Sequence, residues 1–167
     1  MNMTAQLDVL RDLSDVKARY EEMLGWRVAL DVSHRRLFLP VGRDLGAITM
    51  PAHMAVVVTA QLRVAVMAGP VIVSPGGRWH TFLTTGAKGP NFPLVLRQAR
   101  VQFLPTGGQV IVPNTLDARC DPTGWCWADP PRPYCVLPSW SAVVVAAKVA
   151  VADAEQAGRI AASVVRR

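Results

Sequence analysis

One stretch of the chain constrains its fold more than any other. Residues 71–83 contain two runs of β-branched and aromatic residues on either side of a Ser-Pro-Gly-Gly sequence. This pattern predicts a β-hairpin, whose second strand presents Arg78, Trp79, His80 and Thr81 on alternating faces. A basic residue, an indole and an imidazole beside a glycine turn suit a bound phosphate. They equally suit an ordinary half-exposed strand, because such residues are common there.

The first half of the chain predicts helices and strands around this hairpin. Apolar residues spaced three and four apart predict a first helix that ends near Gly25. A buried strand is expected before Pro51, which fits the first turn of an unusually apolar helix. That helix leads into the hairpin, and such a strand-helix-strand unit is typical of α/β proteins. The predicted strands are 26–30, 37–39 and 45–50, and the apolar helix is 52–68.

The second half predicts shorter elements and one long helix. A Thr-Gly-Gly sequence at 106–108 predicts a second hairpin between its flanking strands. A segment rich in Pro, Asp, Cys and Trp then crosses the sheet as an ordered excursion. Ser139 or Ser141 can cap the last helix. The predicted elements are a helix at 93–99, strands at 101–104 and 109–112, the excursion at 113–138 and a helix from about 139 to 165. The expected fold is a single α/β (α+β) domain over 1–167, with a mixed β-sheet and hairpins packed by helices.

Size and hydropathy exclude several classes of protein. A chain of 167 residues with 51% hydrophobic content can bury a core without disulfides or metals. Its longest apolar stretch, 54–73, is interrupted by polar residues and by Gly-Pro, so we predict no membrane span. The amino terminus has no basic region followed by an apolar core, so we expect no signal peptide and a cytoplasmic location.

Charge is concentrated in the middle of the chain. The net charge is +6, and residues 32–136 hold ten Lys or Arg against four Asp or Glu. A basic middle favours an anionic partner such as nucleic acid or nucleotide, although many basic proteins bind neither. The candidate phosphate contacts are Arg78, Lys88, Arg97 and Arg100, with Trp79 as a candidate for stacking and His80 beside them.

Three cysteines lie within the excursion. Cys120, Cys126 and Cys135 have five and then eight residues between them, which matches no C-x-x-C zinc pattern. No histidine lies nearby, although Asp121 or Asp129 would be available as a fourth ligand. We therefore predict reduced, structural thiols and no metal site.

Four motifs in order resemble the primase-polymerase (prim-pol) domain of the archaeo-eukaryotic primase superfamily, as found in actinobacterial and plasmid bifunctional DNA primase/polymerase proteins. The start Ala-Arg-Tyr through Leu-Gly-Trp-Arg-Val is similar to the family's A-x-x-Y-x-x-x-G-W-P-V. Ser-Pro-Gly-Gly-Arg is similar to its P-S-G-G-R-H strand, and Gly-Gly-Gln-Val-Ile-Val-Pro to its G-G-Y-V-V-A-P-P segment. The closing Trp-Cys-Trp and Leu-Pro-Ser-Trp resemble its Y-x-W through L-P-x-W. The resemblance covers residues 18–145, and the motifs begin at 18, 74, 107 and 125.

The resemblance implies two-metal nucleotide transfer, which requires carboxylates to bridge the ions. In the family, a D-x-D ends the strand before the first core helix, and a third acid precedes the G-G-Y-V-V segment. Here Thr49 and Pro51 occupy the first two positions, and Gln102 occupies the third. No Asp or Glu occurs between Asp44 and Asp117, and Asp44 can supply one ligand at best. We therefore expect no catalytic residues, no metal and no cofactor.

The histidine of the family motif is displaced in this chain. Aligning the Gly-Gly-Arg sequences leaves Trp79 at the family's histidine position and His80 one residue later. A slip of one residue moves a strand side chain to the opposite face, unless a bulge restores the register. Trp79 then either stacks on a base or fills the vacated space.

These observations predict a catalytically degenerate prim-pol-like protein that binds nucleic acid or nucleotide, or acts as an accessory factor in DNA transactions. The alternative is a protein interaction module that uses the fold as a scaffold, through the apolar helix at 52–68 and the valine-rich last helix. Such a module would pair with a protein partner or form a homodimer. An active DNA primase/polymerase is the third possibility.

Overall fold

Helices cover two antiparallel sheets in this protein. The computed structural model describes residues 3–86 and 92–164. Within these ranges, helices and strands are interspersed along the chain. The predicted class, α/β with a long last helix, is confirmed. The helices are α1 (Met3–Leu24), α2 (Ala52–Val64), α3 (Leu94–Gln98) and α4 (Trp140–Val164). The strands are β1 (Ala29–Asp31), β2 (Arg36–Pro40), β3 (Gly46–Pro51), β4 (Val71–Val73), β5 (Trp79–Thr84), β6 (Gln102–Phe103), β7 (Gln109–Val112) and β8 (Cys126–Asp129).

Helix α1 ends where its sequence predicts. Gly25 has φ of +67°, and its N–H donates to the Glu21 carbonyl oxygen at 3.0 Å, which is the usual glycine stop of a helix. Only the second half of the predicted apolar stripe is buried, because Leu13 and Tyr20 contact the core whereas Leu7 is 59% exposed. Helix α1 therefore begins in solvent and docks through its carboxyl-terminal turns.

The two sheets have simple antiparallel ladders. The smaller sheet has the order β1-β2-β7, and the larger has the order β6-β3-β5-β4-β8. Every neighbouring pair among these strands is antiparallel, where the sequence had suggested a mixed sheet. Strands β3 and β4 run parallel, as expected for a strand-helix-strand unit, but β5 lies between them. The predicted hairpin of β4 and β5 is confirmed, and it supplies this central strand.

Alternate residues of the large sheet enter two different cores. Ile48, Met50 and Phe82 lie on the face covered by α2, α3 and α4. Ala47 and Leu83 lie on the other face, in a cluster with α1 and the small sheet. The large sheet is thus the middle layer of the molecule.

The second predicted hairpin is wrong. Strand β6 pairs with β3 in the large sheet, whereas β7 pairs with β2 in the small one. The backbones of Gly107 and Gly108 both bond to Val41. The Gly107 N–H donates to the Val41 carbonyl oxygen, and the Val41 N–H donates to the Gly108 carbonyl oxygen. The glycine turn therefore crosses from one sheet to the other. A turn sequence indicates a change of direction, but it does not identify the strand that each arm joins.

Helix α2 is shorter than its apolar composition predicted. It ends at Val64, four residues before the predicted end, because Val66 adopts φ of +56°. The Met67 N–H donates to the Leu62 carbonyl oxygen at 2.8 Å, which closes a left-handed cap. Pro51 is the N-cap residue of α2 and the last residue of β3, so it precedes the first turn instead of lying in it. The last helix agrees with its prediction, since the Ser139 hydroxyl oxygen accepts from the Ala142 N–H at 3.1 Å.

Two of the three cysteines form a disulfide, which corrects the prediction of reduced thiols. Cys120 and Cys126 are bonded, with 4.1 Å between their Cα atoms, and Cys135 is free. The turn between the bonded pair is organised by the buried Asp121, whose carboxylate accepts hydrogen bonds from the backbone N–H groups of three residues and from one hydroxyl. Such a turn brings Cys126 back beside Cys120. Cysteine spacing alone does not reveal this approach. The predicted cytoplasmic location stays a prediction, and disulfides are rare in reducing compartments.

Within the described ranges, no helix combines the length and the apolar composition that a membrane crossing requires.

Candidate functional site

The glycine pair at the tip of the hairpin positions the first candidate residue. Gly76 and Gly77 have φ of +79° and +71°, a conformation that glycine adopts without steric cost. Ser74 N–H donates to the Trp79 carbonyl oxygen at 2.9 Å, and this bond closes the turn. Arg78 follows the glycines with its side chain exposed. The tip therefore holds a cation in solvent at the entrance to β5.

The register of β5 decides which face each candidate occupies. Trp79 pairs with Pro51, His80 with Met50, and the ladder continues without interruption to Gly46 and Thr84. The register shift in this sheet lies instead between Val71 and Ile72, where β4 meets β8. No bulge therefore rotates His80, and the prediction that it faces away from Trp79 is confirmed. His80 lies beside Met50 on the helix-covered face, where burial lowers its pKa below the ordinary value.

A groove of about 750 Å³ lies where β3 passes into α2. We call it the hairpin groove. The hairpin tip forms one wall, the first turn of α2 forms the floor, and the residues after α3 form the other wall. Three of its lining residues are basic or imidazole side chains, namely Arg78, Arg100 and His53, and the half-exposed Trp79 lines it as well. Gln98 adds an amide. No acidic residue is among the described lining residues, so the groove is positively charged.

Arg100 reaches the groove from a strained backbone. Its φ is +62°, in the left-handed region where residues with a Cβ are disfavoured. It follows α3 at the position that glycine usually occupies, and the Val101 N–H donates to the Leu96 carbonyl oxygen at 2.8 Å across it. An arginine here costs the fold about 1 kcal/mol relative to glycine. The side chain, and not the backbone, is the reason that we see for an arginine at this position.

The two guanidinium groups of the groove are available to a ligand. Within residues 3–86 and 92–164, neither Arg78 nor Arg100 forms an ion pair or a side-chain hydrogen bond. By contrast, Arg63 is held by Asp129, with two bonds of 2.8 and 2.9 Å. An unpaired guanidinium beside an indole favours anions that also carry flat rings.

The remaining predicted site residues lie elsewhere. Arg97 is exposed on α3 but does not line the groove, and His80 is on the other face of the sheet. Lys88 falls outside the described residues. His53 was missed from the sequence. The sequence feature that could have identified His53 is its position in the first turn of a helix that directly follows a strand, at the end of the sheet.

The positions of the family's metal-binding acids share one face of the large sheet. Thr49 pairs with Gln102 on one side and with Thr81 on the other, and the two threonine hydroxyl oxygens are 2.8 Å apart. Thr49, Thr81 and Gln102 are neutral, so this face presents no carboxylate at these three positions. Asp44 lies in the turn before the opposite end of β3, away from Thr49. Among the described residues, no group of three or more His, Cys, Asp or Glu side chains is arranged to hold a metal ion.

Comparisons with protein-family models, with curated proteins and with solved structures found no match to this chain.

Proposed function

We propose that this protein binds single-stranded nucleic acid in the hairpin groove, as a prim-pol-like protein without a working metal site. One observation carries the proposal. The guanidinium groups of Arg78 and Arg100, which have no ion pair among the residues that the structure describes, line the same concave surface as the half-exposed ring of Trp79. Single-stranded nucleic acids are bound by this combination, because cations contact the phosphates and aromatic rings stack on the unpaired bases.

The floor of the groove supports the same reading. Helix α2 has no side-chain cap at its amino terminus, and the Ala52 N–H is satisfied by the Arg78 carbonyl oxygen at 3.0 Å. This bond ties the hairpin tip to the helix, so that Arg78 and the first turn of α2 keep a fixed relation. The positive end of the helix dipole adds to the potential of the cations. A groove of fixed shape loses less entropy on binding than a mobile one.

The neutral face of the sheet bears on activity. With Thr49, Pro51 and Gln102 at the positions where the family resemblance requires acids, the binding surface would serve without nucleotide transfer. The protein would then act as an accessory or regulatory factor in DNA transactions. Primer extension with manganese tests the remaining alternative, an active primase/polymerase, and we expect none.

The binding proposal is tested by fluorescence anisotropy with labelled single-stranded DNA over a series of salt concentrations. If Arg78 and Arg100 each neutralise one phosphate, the logarithm of the binding constant should fall against log salt with a slope of about −1.4. The variant R78A/R100A should bind with a nearly flat salt dependence. The matched control is Arg97→Ala, which removes an exposed arginine close in sequence that does not line the groove. Absence of binding at low salt, or equal loss in the control, would contradict the proposal.

A second candidate function rests on a different surface. Val64, Val66, Val145 and Val149 are 86%, 92%, 59% and 44% exposed, on α2, the turn after it and α4. Val66 is a β-branched residue in the left-handed conformation, which is unusual in an exposed turn. This apolar surface favours the protein interaction module, with a partner protein or a second copy. Light scattering after size-exclusion chromatography tests it, and a stable dimer without DNA affinity would favour this candidate over the first.

A further inference from the structure

A second cleft lies at the opposite end of β3 from the hairpin groove. We call it the turn cleft, because the turn between β2 and β3 forms one of its walls. Its volume is about 600 Å³, within the range usual for small-molecule sites. The link between α1 and β1 forms the facing wall, and Leu137 from the excursion closes one side. Among the described residues, none lines both the turn cleft and the hairpin groove.

The charged groups of the turn cleft have both signs. Arg27 and Arg43 line it from opposite walls, and Asp44 lies next to Arg43. All three side chains are exposed, and none of them has an ion pair or a side-chain hydrogen bond within the described ranges. Opposite charges that share a cleft without pairing remain free to contact a ligand. Two guanidinium forks suit a phosphate, and a carboxylate suits hydroxyl or amino donors on the same molecule.

An aromatic ring is fixed in the wall beside these charges. Trp26 lines the turn cleft and is stacked on Tyr20, with 6.3 Å between the ring centroids and 15° between the planes. Tyr20 is fully buried, and its hydroxyl lies 2.9 Å from the Pro113 carbonyl oxygen, to which it donates. The Trp127 indole N–H also donates to that hydroxyl, at 3.1 Å. The core therefore fixes Tyr20, and Tyr20 supports one face of the Trp26 ring.

The turn that carries the charges is fixed as well. Gly42 N–H donates to the Leu45 carbonyl oxygen at 2.8 Å, and Val41 N–H donates to Gly108 at 2.9 Å. Gly86 lies so close to the Arg43 carbonyl that a methyl group in its place would overlap the backbone. The turn is thus closed by a hydrogen bond that spans Arg43 and Asp44, and Gly86 packs against the Arg43 carbonyl. Preorganised walls of this kind reduce the entropy cost of binding a small ligand.

We propose that the turn cleft binds a phosphorylated small molecule with a planar ring, of the nucleotide class. Arg27 and Arg43 contact the phosphate, the ring lies against Trp26, and Asp44 accepts a hydrogen bond from an amino or hydroxyl group of the ligand. This site is independent of the hairpin groove. Its mixed charges disfavour a long polyanion, because Asp44 would repel a continuous phosphate backbone.

Isothermal titration calorimetry with AMP, adenosine and inorganic phosphate as separate probes tests this site. We expect AMP to bind at one site per chain, and each of the other two to bind about 10-fold more weakly or worse, because each lacks one of the two recognised parts. The variant R27A/R43A should lose about 100-fold in AMP affinity, since two charge-assisted contacts are removed. The matched control R11A/R19A removes two exposed arginines of α1 that do not line the cleft, and it should bind AMP as the wild type does.

Three outcomes would overturn the proposal. The first is no AMP binding by the wild-type protein at millimolar concentration. The second is AMP binding that survives R27A/R43A but is lost in R78A/R100A, which would assign the nucleotide to the hairpin groove. The third is phosphate binding as tight as that of AMP, which would remove the ring from the recognised chemistry. Circular dichroism of each variant checks that the fold is retained, and failure of DNA binding in the groove would leave all three readouts unchanged.

Discussion

The two ends of strand β3 present different chemistry although they belong to one strand. At its carboxyl end, the hairpin groove holds Arg78 and Arg100 around Trp79, with no acidic residue among the described lining residues. At its amino end, the turn cleft holds Arg27, Arg43 and Asp44 beside Trp26. Each of the two sites has two arginines and one tryptophan among its lining residues. The difference lies in one carboxylate and in how each ring is supported.

This difference separates two classes of anionic ligand. A groove with cations alone attracts any phosphate chain, and its affinity depends mainly on counterion release. A cleft that adds a carboxylate and a ring fixed by the core selects for a molecule with donors at a defined place. Trp79 is the first residue of the central strand β5, next to a turn, whereas Trp26 is stacked on the fully buried Tyr20. We therefore expect the groove to bind a flexible polymer and the cleft to bind a small rigid molecule.

The largest expected effect is a crossed loss of binding. R78A/R100A should lower the affinity for single-stranded DNA by about 100-fold, because each lost phosphate contact is charge-assisted. The same variant should leave the affinity for AMP unchanged. R27A/R43A should do the reverse. Anisotropy for DNA and calorimetry for AMP measure both ligands on both variants. If either double variant lowers the affinity for DNA and for AMP equally, the two regions form one site, which would contradict the distinction between them.

The next effect separates the two faces of β5. Trp79→Ala should lower the affinity for single-stranded DNA by about 10-fold, since stacking of one base contributes about 1–3 kcal/mol to the binding free energy. His80 lies on the opposite face of β5, so His80→Ala should leave the affinity for DNA at the wild-type value. Anisotropy at constant salt measures both variants. Equal affinities of Trp79→Ala and the wild-type protein would mean that the indole only fills space.

A smaller effect couples stability to binding at Arg100. Arg100→Gly should raise the free energy of unfolding by about 1 kcal/mol, because glycine adopts its left-handed conformation without strain. The same variant should weaken DNA binding, since one cation is lost from the groove. Val66→Gly is the matched control, because it relieves a similar strain at φ of +56° outside both sites. Urea unfolding and anisotropy should show two stabilised variants, of which only the first binds poorly.

The smallest effect is a pH dependence from His80. Burial lowers its pKa below the ordinary 6.5, so the unfolded chain binds the proton more readily than the folded one. The stability from its neutral form is complete above about pH 6.5 and is lost as the pH falls towards the folded pKa. Thermal unfolding between pH 7.5 and pH 5 should therefore show a smaller loss for His80→Gln than for the wild-type protein. Identical losses would place His80 in contact with water in the folded state.

Much of the secondary structure could be predicted because it depends on neighbours in sequence. The stop at Gly25, the hairpin turn at 74–77 and the cap at Ser139 each require only local backbone geometry. The period of two along β5 also predicted that Trp79 and His80 lie on opposite faces. This prediction holds because an unbroken ladder with β3 leaves no extra residue to rotate the strand.

The partners of each element could not be predicted in the same way. Residues 101–112 contain a sound turn sequence, but β6 and β7 join different sheets because β3 and β2 offer free edges on either side. The Cys120–Cys126 disulfide and the place of His53 in the groove depend likewise on how distant segments pack. Sequence spacing carries no information on such approaches.

The sequence by itself determined the class of this protein, its basic middle, the hairpin and the face of β5 that carries Trp79. Only the tertiary structure decided that Arg78 and Arg100 share a groove, that Arg97 lies outside it, and that Arg27, Arg43 and Asp44 meet in a second cleft. The physical reason is the range of the interactions. Turns, caps and strand alternation are set within a few residues, whereas a binding site is made where the ends of strands and helices distant in sequence are brought together by burial of the cores between them.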